Sequence, residues 1–120
     1  MTIFYLVRHA HAEWIPDENR PLSAKGNQDA QRVADVLQTY PVNAIYSSPA
    51  RRAYQTISPL TERTGIEIKI EADLQERKLG NEVFEDFLGT VERTWHDPKF
   101  SYPGGEASND AQKRGFAIVQ

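Results

Sequence analysis

Cysteine is absent from this chain, which excludes disulfides and thiolate metal sites and leaves a reducing compartment open. A strong net charge is lacking too. Lys and Arg number 14 against 17 Asp and Glu, for a net of −3, so no global field draws in nucleic acid or an anionic membrane. Any anion must instead be met by a local cluster of cations. No apolar stretch approaches membrane-spanning length. The start of the chain has no basic region followed by an apolar core and a small-residue cleavage site. No signal peptide is therefore expected, and the cytoplasm is the default location. Internal repeats and low-complexity tracts are missing as well. What remains is an ordinary globular composition, 39% hydrophobic and 26% charged over 120 residues, the size of one domain, 1–120.

The apolar run Ile3 to Val7 reads as a strand buried on both faces, as in the middle of a parallel sheet, and it ends abruptly in Arg8-His9. A polar loop, Ala12 to Pro21, follows. Ser23 is a plausible N-cap for a helix whose apolar stripe is Ala30, Val33, Ala34 and Leu37, stopped by Pro41. Ala44-Ile45-Tyr46 is a second strand. A helix starts near Pro49, with Ala53, Ile57 and Leu60 along one side, and Pro59 should kink or end it. Ile66, Ile68 and Ile70 alternate with Glu67 and Lys69, giving a half-buried strand near a sheet edge. This order predicts an α/β fold with a largely parallel sheet and flanking helices.

Beyond it, Val83, Phe84, Phe87, Leu88, Val91 and Trp95 form an apolar face flanked by acids, predicting an amphipathic helix from about Glu82 to Trp95, ended by Asp97-Pro98. Its acidic flanks exclude a nucleic-acid surface. A loop, Phe100 to Ala107, contains Pro103-Gly104-Gly105. Ser108 is expected to cap a last helix with Ala111, Phe116 and Val119 on its inner side. The chain stops inside that apolar pattern, at Phe116-Ala117-Ile118-Val119-Gln120, and so reads as a domain whose C-terminal part is missing.

In open α/β sheets, ligands bind beyond the carboxyl ends of strands. Four sets of residues fall at such ends: Arg8-His9; Ser47-Ser48-Pro49-Ala50-Arg51-Arg52-Ala53-Tyr54-Gln55-Thr56; Leu74-Gln75-Glu76-Arg77-Lys78-Leu79-Gly80; and Pro103-Gly104-Gly105-Glu106. A fixed cation beside an imidazole suits holding an anion while a ring nitrogen attacks it. With Arg20-Pro21-Leu22-Ser23-x-x-Gly26 ahead of the first helix, these motifs resemble the histidine phosphatase superfamily, also called the phosphoglycerate mutase-like family. The resemblance covers essentially the whole chain, in the family's order.

The resemblance implies a phosphoglycerate mutase-like fold and a catalytic His9 that carries the phosphoryl group as phosphohistidine. It further implies phosphate-binding Arg8 and Arg52, and Glu76 as general acid to the leaving oxygen. Such residue types suit the chemistry: guanidinium forks match phosphate oxygens and stabilise charge spread over them in the transition state, and a protonated carboxyl speeds departure of an alkoxide. No metal or other cofactor is expected, since arginines stand in for it. Arg51 is read as solvated, with help in holding the phosphate as its other use, His96 as structural or solvated, His11 as a polar loop histidine with phosphate or substrate contact as its other use, and Glu106 as a cap or loop anchor.

Three departures qualify the match. Ala10 stands where the family usually has Gly. The loop from Ala12 to Pro21 lacks the Gly-Trp pattern of glycolytic mutases. No segment carries the family's second catalytic histidine, whose strand would lie beside the first. The expected activity is hydrolysis of a phosphomonoester or of phosphohistidine, on a small phosphorylated substrate or a phosphoprotein. The alternatives are phosphoglycerate mutase activity and a non-catalytic phosphate-binding or interaction module. The uncovered edge of the first strand suggests a homodimer, through edge pairing or exchange of last helices.

Overall fold

A computed structural model describes residues 2–78, 80 and 87–119, which fall into two compact units, Met1–Ala72 and Asp73–Gln120. In the first unit, helix α1 (Ala24–Leu37) precedes strand β1 (Ile45–Ser47), helix α2 (Arg51–Thr64) and strand β2 (Ile68–Ile70). The strands pair in parallel, Ile45 beside Ile68 and Ser47 beside Ile70, and Lys69 Nζ lies 5.5 Å from the centre of the Tyr46 ring. The α/β class follows from this arrangement of a parallel pair with its helices.

α1 forms where the sequence asks for it. The Ser23 hydroxyl accepts from Gly26 N at 3.1 Å and caps the helix, satisfying a donor that has no partner within the helix. Ala30 and Ala34 are buried, small enough to let α2 approach closely. Ala34, Ile45, Ile57 and Leu60 form the core, with Val33, Leu37, Val42, Ile66 and Ile68 packed around it. The most buried of the large side chains among these four is Leu60, 1% exposed, and its burial contributes about 2 kcal/mol.

Pro59 does not end α2, one of the two outcomes expected for it. The helix runs on to Thr64. Pro59 has no N–H to give the turn before it, but Ile57 and Leu60 on the core face hold the following turn in place. Gly65 ends the helix at φ 76°, with its N–H on Thr61 O, a left-handed stop that glycine adopts without strain. α2 also begins at Arg51 rather than Pro49.

The largest correction concerns the first predicted strand. Residues 3–7 form no strand, and Ile3, Phe4, Tyr5, Leu6 and Val7 are 40–87% exposed. A run buried on both faces needs neighbours on both edges, whereas β1 and β2 ladder only with each other among the described residues. The run's one ring contact given by the structure is Tyr5 with Tyr40, centroids 5.1 Å apart.

In the second unit, helix α3 (Phe87–His96) leads through a loop to helix α4 (Ser108–Val119). The predicted start of α3 at Glu82, with Val83 and Phe84, lies outside the described residues, as does Leu79. Asp97-Pro98 ends α3 as expected. Leu88 and Trp95 are exposed, however, and among the helix residues whose burial is described the buried one is Thr94. Phe116 and Val119 are exposed too, so α4 does not bury the stripe predicted for it. Ser108 is the first residue of α4 rather than its cap. The carbonyl of Ala107 accepts the first helical bonds, and the Ser108 hydroxyl turns to Thr94 O. Gly104, at φ 75°, follows Pro103 in a turn closed by Gly105 N on Tyr102 O, the Pro-Gly order of a type II turn.

Candidate active site

Arg8 is exposed and His9 half-buried. Nδ1 of His9 lies 2.7 Å from the carbonyl oxygen of Ala10. A carbonyl can only accept, so Nδ1 carries the proton of this contact. In the neutral tautomer that carries this proton, Nε2 holds the lone pair.

The peptide after His9 is tied to α2. Ala10 N donates to Thr56 Oγ1 at 2.9 Å, and that hydroxyl donates to Arg52 O at 2.7 Å. Thr56 is 2% exposed. Two bonds therefore join the backbone next to His9 to the backbone of Arg52, one turn earlier on the same helix. The Arg52 guanidinium donates to Glu18 O, and Leu22 N donates to Gln55 Oε1. Residues 18–22 thus lie along the opening turns of α2. Arg51 is half-buried rather than solvated.

A second set of bonds fixes the same segment to α1. Ser23 N and Ser23 Oγ both donate to His11 O, and His11 Nδ1 pairs with Ser23 Oγ at 2.7 Å. A Cβ on Gly26 would stand 1.9 Å from His11 O. Glycine is thus required here by close backbone approach rather than by a turn. The polar-loop reading of His11 fits this pairing.

Glu76 belongs to the second unit and is exposed on it. The chain around it is tightly held. Arg114 Nη1 donates to Asp73 O at 2.5 Å and to Gln75 O at 2.8 Å. Its Nε and Nη2 form a two-pronged pair with the Glu106 carboxylate at 3.0 and 2.7 Å. Glu106 N donates to Lys78 O at 2.7 Å, and Arg77 reaches Ser108 Oγ. The hydrogen bonds from Arg114 hold the Glu106 carboxyl below its ordinary value, against desolvation, which pushes it up. The same bonds raise the Arg114 guanidinium. Glu106 therefore anchors its loop, one of the two uses read from the sequence. His96 pairs with Glu92 on the surface, in line with its solvated reading.

Thr56 and Arg114 escaped the sequence reading as working residues. The signal for Thr56 was its place four residues after Arg52, which puts both on one helix face. Arg114 had no signal, since its acceptors are backbone carbonyls some 40 positions away. Among the described residues, no group of three or more His, Asp or Glu could hold a metal ion.

The family model described as histidine phosphatase superfamily (branch 1) matches residues 4–120. Phosphoserine phosphatase 1 from Hydrogenobacter thermophilus is 31% identical over 121 residues, covering 89% of this chain and 57% of that protein. A probable phosphoglycerate mutase, GpmB, from Salmonella choleraesuis is 28% identical over 131 residues, covering 96% and 60%. Among solved structures, a mycobacterial glucosyl-3-phosphoglycerate phosphatase in complex with inorganic phosphate superposes with a TM-score of 0.80 at 28% identity, covering 92% of this chain and 57% of that one. The chain thus spans about 57–60% of the length of these curated relatives.

Proposed function

The chain belongs to the histidine phosphatase superfamily, and on that premise we propose that the protein hydrolyses phosphomonoesters through a phosphorylated His9. The observation that carries this reading is the 2.7 Å contact between His9 Nδ1 and the Ala10 carbonyl, which favours the tautomer in which Nε2 is the nucleophile. The bonds linking Ala10 through Thr56 to Arg52 support it further. In the first step Nε2 bonds to phosphorus as the P–O bond to the alcohol breaks. Arg8 and Arg52 bear the charge on the phosphoryl oxygens, and Glu76 gives its proton to the departing oxygen. Water then attacks phosphorus, the P–N bond breaks, and inorganic phosphate leaves. The chemistry requires no metal or other cofactor. Names among the relatives favour a small phosphorylated molecule over a phosphoprotein, since phosphoserine and phosphoglycerate are small esters. The protein works in the cytoplasm, which cell fractionation checks.

Full-length protein mixed with a phosphomonoester and analysed by intact mass should show a phosphoryl adduct. His9→Ala should remove the adduct and lower turnover at least about a thousandfold. An adduct that persists in His9→Ala removes His9 from its role. The exposed apolar side chains of residues 3–7 support pairing of two copies through that run. Strictly monomeric sedimentation at high concentration would end that part of the reading.

A further inference from the structure

The geometry points to Arg114 and Glu106 as positioning residues that set the direction of the Glu76 carboxyl. This rests on the reading of Glu76 as general acid. Glu76 lies in irregular chain just after the turn Ala72–Leu74, and such a segment delivers a proton to one oxygen only if its backbone is fixed on both sides. Both sides are fixed here. Ahead of Glu76, the carbonyl of Gln75, which forms the peptide bond to Glu76 itself, accepts from Arg114 Nη1, as does Asp73 O two residues earlier. Behind it, Lys78 O accepts from Glu106 N. Arg77, between them, is held to Ser108 Oγ.

The two anchors are one object. The Arg114 fork that grips the leading carbonyls also grips both oxygens of Glu106, whose backbone grips the trailing one. Only residues 76 and 77 lie between these anchors, so the ion pair fixes the backbone from which the Glu76 carboxyl projects. The guanidinium suits this task because one rigid plane serves carbonyl and carboxylate acceptors together, which an ammonium cannot do. The side chains of the pair are only 15% and 27% exposed, so water competes weakly for these bonds.

The test compares two substrates of the full-length protein: glycerol 3-phosphate, whose alkoxide needs a proton to leave, and p-nitrophenyl phosphate, whose aryloxide does not. Glu76→Gln should slow the alkyl ester at least about tenfold more than the aryl ester. Arg114→Lys and Glu106→Gln should reproduce that selectivity in kcat with little change in KM. If Glu76→Gln is selective and the Arg114 and Glu106 variants slow both esters equally, the ion pair is structural only and the inference falls alone. If Glu76→Gln itself shows no selectivity, the general-acid reading falls and takes the inference with it. Should Arg114→Lys fail to fold, hydrogen exchange on the unmodified protein decides. The Glu106 amide should be slowed at least about a hundredfold over an open chain, and an unprotected amide there overturns the inference.

Discussion

The segment after His9 and the segment around Glu76 are both short, polar and irregular, yet they are held by different forces. Near His9, neutral groups do the holding: the Ser23 and Thr56 hydroxyls, the Gln55 amide, and a glycine with no side chain in the way. Around Glu76 a charged pair, Arg114 with Glu106, grips the backbone. Neutral hydroxyl bonds between buried groups are indifferent to pH and salt. A charge-assisted fork is stronger per bond but depends on the carboxylate staying ionised. The two segments should therefore fail under different conditions.

The largest effect falls on the neutral side. Gly26→Ala drives a methyl into the His11 carbonyl, and urea unfolding should show a loss of about 3 kcal/mol; a loss near zero would mean the α1 contact is easily shifted. Thr56→Val removes both the acceptor for Ala10 N and the donor to Arg52 O and should cost about 2 kcal/mol. That loss should be the same at low and high salt, and a strong salt dependence would blur the contrast between the two segments.

Acid acts on the other side. The Glu106 carboxyl lies below its ordinary value because Arg114 bonds to its charged form. Its contribution is thus complete above the unfolded carboxylate range and fades as pH falls through the lowered folded value. Between those limits, amide protection, corrected for the intrinsic pH dependence of exchange, should fall around residues 73–78 while it holds steady around residues 9–11. An equal fall in both would erase the distinction. The smallest effect belongs to Gly65→Ala, which places a Cβ at φ 76° in open space. It should cost about 1 kcal/mol by thermal melting, at any pH.

Local signals were legible where the residues concerned interact with near neighbours in sequence. Ser23 caps α1, the Ala30–Ala34 stripe is buried, and the two isoleucine strands form, because each rests on periodicity or on a bond spanning three or four residues. Pro59 misled as a helix end because the local rule was overruled by apolar packing of Ile57 and Leu60. Residues 3–7 misled for the opposite reason. Their burial depends on strands that must come from elsewhere, and no periodicity in the run itself reveals whether they are present. Ser108 has the right residue type for a cap, but a buried neighbour, Thr94, claimed its hydroxyl. Of the candidate site, residue types and order could be read directly. What held them in place could not, because Thr56, Gln55 and Arg114 act on backbone atoms distant in sequence.

The hydrogen bond from the imidazole to Ala10 has one more implication. If His9 carries the phosphoryl group as proposed, a phosphoramidate at Nε2 is the τ isomer, and one at Nδ1, the nitrogen that faces the Ala10 carbonyl, is the π isomer. Antibodies raised against the two phosphohistidine isomers would therefore give opposite answers on this protein, so a single label distinguishes which edge of the ring the structure has turned toward its chemistry.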